Sequence, residues 1–80
     1  MITMAQLGNV GIGRMFYHEN ALFVVAPFNW EEERYLNLCV ATFNETAEFT
    51  IGEEYYFGDL VEVEEIDPKK LKKVLDNLRN

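Results

Sequence analysis

Cysteine and histidine are almost absent from this chain, whose 80 residues contain one of each. A single cysteine excludes an internal disulfide framework, so we expect a reducing, cytoplasmic compartment. One cysteine and one histidine also cannot supply the three or four nitrogen and sulfur ligands that a transition-metal site requires. The sequence therefore predicts neither a metal centre nor a cofactor.

Long apolar segments are lacking as well. The longest apolar run, Ala21 to Phe28, is much shorter than the ~20 residues that a membrane-spanning helix needs. The N-terminus shows no basic stretch followed by an apolar one, which a signal peptide would have. We expect no contact with a membrane.

Basic side chains are missing from the 34 residues between Arg34 and Lys69, which we call the base-free window. The window carries nine carboxylates: Glu45, Glu48, Glu53, Glu54, Asp59, Glu62, Glu64, Glu65 and Asp67. The net charge of −7 disfavours direct binding to nucleic acid, because nucleic acid is itself a polyanion. Surfaces that serve only solubility usually mix both signs of charge. The window therefore points to a basic partner.

Hydrophobic residues make up 49% of the chain, enough for one folded core. We expect a single domain over residues 1–80. A core of this size supplies only a few kcal/mol of net stability, so homodimerisation would be a natural supplement.

Short segments rich in aromatic and β-branched residues, separated by turn signals, predict five or six antiparallel strands. The predicted strands are Ile2–Leu7, Arg14–His18, Ala21–Phe28, Tyr35–Phe43, Ala47–Ile51 and Leu60–Ile66. We expect a hairpin turn at Glu19–Asn20, a connection over Pro27–Glu33 and a turn at Asn44–Thr46. Close spacing of so many strands favours a small antiparallel sheet that rolls into a partly open barrel.

One amphipathic helix is predicted at the C-terminal end, which makes the fold class α+β. Asp67 is a good N-cap, and Pro68 suits the first helical position. An apolar stripe follows at helical spacing: Leu71, Val74, Leu75 and Leu78. This stripe should be buried on the sheet or on a partner.

Candidate catalytic residues are few. We predict that Cys39 is a buried thiol, and that His18 is a solvated histidine in the hairpin turn, too far from Cys39 to activate it. Gly52-Glu53-Glu54 and Gly58-Asp59 contain fragments of calcium-loop chemistry without its spacing. The chain is therefore not expected to be an enzyme.

The carboxylates form the leading candidate site. Val61 and Val63 alternate with Glu62 and Glu64, which places the two carboxylates on one strand face about 7 Å apart. Such a row resembles the regular charge of a DNA backbone. We therefore expect a small acidic inhibitor, a DNA mimic of phage type that occupies the basic, nucleic-acid-binding surface of a host protein. The predicted partner-binding residues are Glu45, Glu48, Glu53, Glu54, Asp59, Glu62, Glu64 and Glu65.

Exposed aromatic residues support an alternative function. Phe28, Trp30, Tyr55 and Tyr56 flank predicted strands, where aromatic side chains anchor interfaces when they are exposed. The chain would then be a structural or adaptor module that homodimerises or binds a partner through these residues. A third interpretation needs no partner, because acidic outward faces also keep edge strands from aggregating.

Overall fold

A computed structural model describes residues 3–43, 48–73 and 76 of the chain. They form a six-stranded antiparallel sheet in the order β1-β6-β2-β3-β4-β5. The strands are β1 Thr3–Gln6, β2 Met15–His18, β3 Ala21–Val25, β4 Asn37–Thr42, β5 Glu54–Tyr55 and β6 Glu62–Ile66. A 3-10 turn, Leu7–Asn9, follows β1, and a second one, Pro68–Lys70, follows β6 and leads into a short α-helix, described at residues 71–73 and 76.

The hairpin between β2 and β3 forms where the sequence predicts it. Glu19 and Asn20 adopt φ angles of 47° and 67°, the left-handed pair that a tight two-residue hairpin loop requires. The loop sets the register, so that Phe16 pairs with Phe23 and His18 with Ala21. Local turn chemistry therefore aligns the two most buried aromatic residues of the core.

The sheet is not closed into a barrel. β6 lies between β1 and β2, and β1 and β5 are the two edge strands of the sheet. The barrel prediction is therefore supported only as far as a six-stranded antiparallel sheet with one short helix.

The strand predicted over Ala47–Ile51 is wrong for residues 48–51, which adopt no strand conformation. The chain turns instead at Gly52, whose φ of 92° suits glycine, and the Gly52 amide donates to the Cys39 carbonyl. The segment after this turn, β5, then pairs with β4. Ala47, Glu45 and the predicted turn Asn44–Thr46 lie outside the described residues.

One face of the sheet, the core face, carries a cluster of aromatic rings. Phe23 lies at its centre, and its ring centroid is 5.3 Å from that of Phe16 and 5.2 Å from that of Phe57. Phe49 and Tyr55 close the cluster edge-on at 5.1 and 6.2 Å from Phe23. The buried aliphatic residues around these rings are Leu7, Val10, Ala21, Val25 and Val63. The segment from Phe49 to Phe57 thus covers the core face that β2, β3 and β6 present.

The opposite face, the outer face, is partly apolar. Leu22 and Ile66 are buried there, and the register places Met15 beside both Ile66 and Val24. Leu71 of the C-terminal helix is half-buried. The other members of the predicted helical stripe, Val74, Leu75 and Leu78, lie outside the described part of the chain.

The predicted N-cap of this helix is confirmed. The Asp67 carboxylate accepts a hydrogen bond from the Lys69 amide at 3.0 Å, and the Asp67 carbonyl accepts one from the Lys70 amide at 2.8 Å. These contacts satisfy two amides that a helix start leaves without intrahelical partners.

Cys39 is buried as predicted, whereas the prediction for His18 is wrong. Cys39 lies on the core face of β4, opposite Phe23. His18 is the last residue of β2 and is half-buried, with its ring 5.1 Å from that of Phe57. His18 therefore belongs to the strand, and its imidazole packs on the aromatic cluster.

Native Cys39 should react with a thiol reagent only when the sheet opens. Burial raises the pKa of its thiol, and a backbone hydrogen bond from Ala41 offsets only part of that shift. Because the folded pKa is raised, the thiol's contribution to stability is complete below the pKa of the unfolded chain and is lost as pH rises through the folded value. Labelling with a chromogenic disulfide should be at least ~100-fold slower in native buffer than in guanidinium. Equal rates would contradict this burial.

Candidate functional site

The hairpin that joins β3 and β4 extends well beyond the sheet. The Ala26 amide donates to the Leu36 carbonyl at 3.0 Å, and Asn29 and Arg34 exchange backbone hydrogen bonds of 2.9 and 3.2 Å. Four residues, Trp30 to Glu33, form the tip. The strands are therefore paired nearly to the end of the hairpin.

Local hydrogen bonds fix the tip. The Asn29 side-chain oxygen accepts from the Glu32 amide at 2.9 Å, which forms an Asx turn. Glu33 adopts a φ of 56°, an uncommon left-handed conformation for a residue other than glycine or asparagine. The Arg34 side chain then donates from Nε to the Glu32 carbonyl at 3.3 Å. The loop is thus held in one conformation by its own polar groups.

Aromatic side chains line the hairpin and meet one residue from a second segment. The Phe28 ring lies 4.7 Å from the Trp30 ring and 5.1 Å from the Tyr35 ring. The Arg34 guanidinium lies 4.4 Å from the ring centroid of Tyr56, which follows β5. We call these five residues the aromatic hairpin cluster. Trp30 is 82% exposed, so most of its side chain faces solvent.

Three carboxylates flank this cluster. Glu31, Glu32 and Glu33 are all exposed at the tip, against the single positive charge of Arg34. The tip therefore combines a large exposed indole with a local excess of negative charge.

The structure separates the carboxylates that the sequence grouped into one face. Glu62 and Glu64 lie on the outer face of β6, opposite Gln6 and Met4 of β1. Glu65 points to the other side of β6 and forms an ion pair with Arg14. One of the three clustered carboxylates is thus neutralised and turned away from its neighbours.

The remaining predicted carboxylates lie elsewhere. Glu53 and Glu54 are exposed on and beside β5, at the sheet edge opposite β1. Three strands separate β5 from β6, which amounts to about 19 Å along the sheet at ~4.8 Å per strand. Glu48 and Asp59 are exposed in the connections, and Glu45 lies outside the described residues. The acidic residues that the structure describes do not form one row on adjacent strands.

The predicted aromatic candidates divide into two groups. Phe28, Trp30 and Tyr56 belong to the aromatic hairpin cluster, whereas Tyr55 packs against the core, and its hydroxyl accepts from the Thr50 amide at 2.8 Å. Sequence reasoning missed Arg34 and Tyr35, along with the tip carboxylates. The sequence signal for these residues was a run of aromatic and acidic residues inside a connection between two strands. Connections lie on the surface, so such side chains do not serve to build the core.

Across residues 3–43, 48–73 and 76, no three histidine, cysteine, aspartate or glutamate side chains are grouped to hold a metal ion. Nor does any helix in these residues have the length and apolarity that crossing a bilayer requires.

Comparison with protein-family models, with curated proteins and with solved structures gives no match in any of the three.

Proposed function

We propose that this chain is a small, acidic, non-enzymatic protein that docks its aromatic hairpin cluster onto a basic surface of a partner protein. The observation that carries the proposal is the exposure of Trp30 at a tip fixed by hydrogen bonds. Tryptophan, tyrosine and arginine dominate the energetics of protein interfaces, and this cluster contains all three. Because the loop is ordered before binding, little conformational entropy is lost when it docks.

Solubility alone does not account for the cluster. Isolated exposed apolar residues are common, but contiguous ones that contact each other mark interaction sites. Here Phe28 contacts both Trp30 and Tyr35. Arg34 lies over the ring of Tyr56, which belongs to a second segment of the chain. Their proximity is what favours recognition over chance exposure.

The charge of the protein supports a basic partner. The chain has a net charge of −7, and its exposed tip carries Glu31, Glu32 and Glu33 beside the indole. Such a field attracts basic surfaces and repels acidic ones. The expected partner is a basic protein, and the expected compartment is the cytoplasm, as the single cysteine suggests.

A second candidate function is mimicry of DNA by the outer face of β6. Glu62 and Glu64 share that face at a spacing of about 7 Å, close to two phosphate intervals along one DNA strand. The chain would then inhibit a nucleic-acid-binding host protein, in the manner of a phage inhibitor. Two carboxylates with no acidic row beside them make a smaller footprint than the hairpin offers.

One capture experiment with variants of three regions, two of them matched in charge, separates these candidates. The immobilised protein is compared with a tip variant (Glu31, Glu32 and Glu33 to Gln), a β5 variant (Glu48, Glu53 and Glu54 to Gln) and a β6 variant (Glu62 and Glu64 to Gln). Captured proteins are identified by mass spectrometry at low and at high salt. We expect the tip variant to lose a basic partner at least ~5-fold more than the β5 variant, because its carboxylates flank the interface.

The outcomes divide cleanly. If the β6 variant fails to capture the partner, and DNA competes for that partner, the result would establish mimicry and overturn docking through the hairpin. If all three variants capture the partner as well as the unaltered protein does, none of these carboxylates contributes to binding. Self-association that the Trp30→Ala substitution abolishes, seen by sedimentation, would replace the basic partner with a second copy of this chain.

A further inference from the structure

A cavity of about 270 Å³ opens beside the aromatic hairpin cluster and shares Tyr35 with it. Its apolar walls come from Leu7, Val10, Ile12, Val25 and Phe57. Gly8 and Gly11 complete the wall on the side of the 3-10 turn. Drug-sized ligands usually occupy sites of ~300–1,000 Å³. This cavity suits something smaller, such as a single side chain.

Two polar residues besides Tyr35 line the cavity, and hydrogen bonds hold the Asn37 side chain and the Asp59 backbone. Asn37 is only 2% exposed, and its side-chain amide donates to the Tyr55 carbonyl at 3.2 Å. This bond orients the amide and leaves its oxygen as the acceptor that the group offers. Asp59 is held through its carbonyl, which accepts from the Gly8 amide at 2.9 Å.

Gly8 allows Asp59 to lie this close. A Cβ at position 8 would stand 3.0 Å from the Asp59 Cβ and 3.2 Å from its carbonyl oxygen. Any larger residue would therefore push the Asp59 backbone away from the cavity wall. Close packing against Asp59 therefore explains the glycine at position 8.

The chemistry of the lining selects a cation on an apolar stem. Asp59 is the one charged side chain among the described residues that line the cavity, and the protein as a whole is strongly acidic. An anion would be repelled, and a purely apolar ligand would cover the exposed Asp59 carboxylate without giving it a partner. A lysine or arginine side chain satisfies the carboxylate and buries its methylene groups against the apolar walls.

We propose that this cavity receives a lysine or arginine side chain of the basic partner, with the stem against Leu7, Val10 and Phe57 and the cationic head at Asp59. This inference rests on the proposed function and names the partner's anchoring residue. Tyr35 connects the two regions, because it belongs to the aromatic hairpin cluster and also lines the cavity. A partner seated on Trp30 would therefore have the cavity beside it.

Small blocked amino acids test the cavity without any partner. N-acetyl-arginine amide is titrated into the protein beside N-acetyl-citrulline amide, which has nearly the same shape and no charge, and amide chemical shifts are followed by NMR. We expect the arginine probe to shift the Gly8 and Gly11 amides and the Asn37 side-chain amide at millimolar concentration. The citrulline probe should bind at least ~3-fold more weakly, as expected for loss of a partly exposed ion pair.

Substitution of Asp59 provides the second arm. Asp59→Asn should remove the preference for the charged probe, whereas Glu48→Gln, an exposed carboxylate outside this cavity, should leave it unchanged. Well-dispersed spectra confirm that both variants fold. Equal binding of the two probes to the unaltered protein, or shifts confined to residues outside the cavity, would overturn the inference.

The failures of the two proposals are distinguishable. If the tip variant loses the partner but neither probe enters the cavity, only the anchoring inference fails. If the probes bind as expected but the tip and Trp30 variants still capture the partner normally, docking through the hairpin fails. Tighter binding of agmatine than of blocked arginine, by ~10-fold or more, would assign the cavity to a free amine in place of a side chain.

Discussion

Replacing Phe23 with alanine is expected to lower the free energy of unfolding by about 3–5 kcal/mol. Phe23 is fully buried and stands at the centre of the core, where its ring contacts four other aromatic rings. Alanine would remove all of those contacts and leave a void that β2, β3 and the Phe49–Phe57 segment cannot fill without moving apart. The packing of the whole aromatic cluster therefore depends on Phe23.

The size of the effect is decisive because the domain is small. A core of this size supplies only ~3–5 kcal/mol of net stability, so the Phe23→Ala loss is comparable to the whole. The variant should be largely unfolded at room temperature, with little near-ultraviolet circular dichroism and no cooperative transition in urea. The measurement is a urea titration followed by circular dichroism and fluorescence.

Trp30→Ala is the matched control for this substitution. It also removes a large aromatic side chain, but one that is 82% exposed and that, among the described residues, packs against one other aromatic ring, that of Phe28. We expect a change of under ~1 kcal/mol from it. Similar urea midpoints for the two variants would show that the aromatic cluster does not hold the sheet together.

Local sequence signals predicted most of the strands because local chemistry determines them. The Glu19–Asn20 turn, the alternation of Val63 with its glutamate neighbours and the Asp67 cap each involve residues close together in the chain. Their positions agree with the structure to within a few residues. Such features depend on backbone conformation and burial over one turn or one strand, which a pattern of residue types can encode.

The arrangement of the strands was not predictable in the same way. The insertion of β6 between β1 and β2 depends on contacts between residues some 60 positions apart, such as Ala5 with Val63. No local pattern records that pairing, and the error over residues 48–51 has the same origin. Asn37 is buried on the same face of β4 as Cys39, although Leu38 and Val40 lie on the other face.

The candidate site was predicted in part. Trp30, Phe28 and Tyr56 were identified by residue type, but their assembly with Arg34 and Tyr35 joins the β3–β4 hairpin to the segment after β5. The carboxylates, in contrast, were grouped by proximity in sequence, and the strand order places three strands between those of β6 and those of β5. Charge counted along a chain does not predict charge density on a surface when the topology is unknown.

Trp30→Ala should weaken partner binding by at least ~2 kcal/mol, or about 30-fold in the dissociation constant. The indole is the largest exposed apolar group of the aromatic hairpin cluster, and a docked partner would bury it completely. Most of the loss should appear as faster dissociation, because short-range contacts act after the complex has formed. The tip carboxylates act earlier, so their replacement by glutamine should chiefly slow association and flatten its dependence on salt.

Surface plasmon resonance against the captured partner measures both rates. Met4→Ala is the control, because Met4 is also an exposed apolar residue, 56% accessible, but lies on edge strand β1. It should change neither rate by more than ~2-fold, within the range of ordinary surface substitutions. If Met4→Ala weakens binding while Trp30→Ala does not, the partner contacts the β1–β6 edge, where Glu64 lies opposite Met4. In that case the carboxylates of β6 would be the binding site, and the exposed indole would be incidental to recognition.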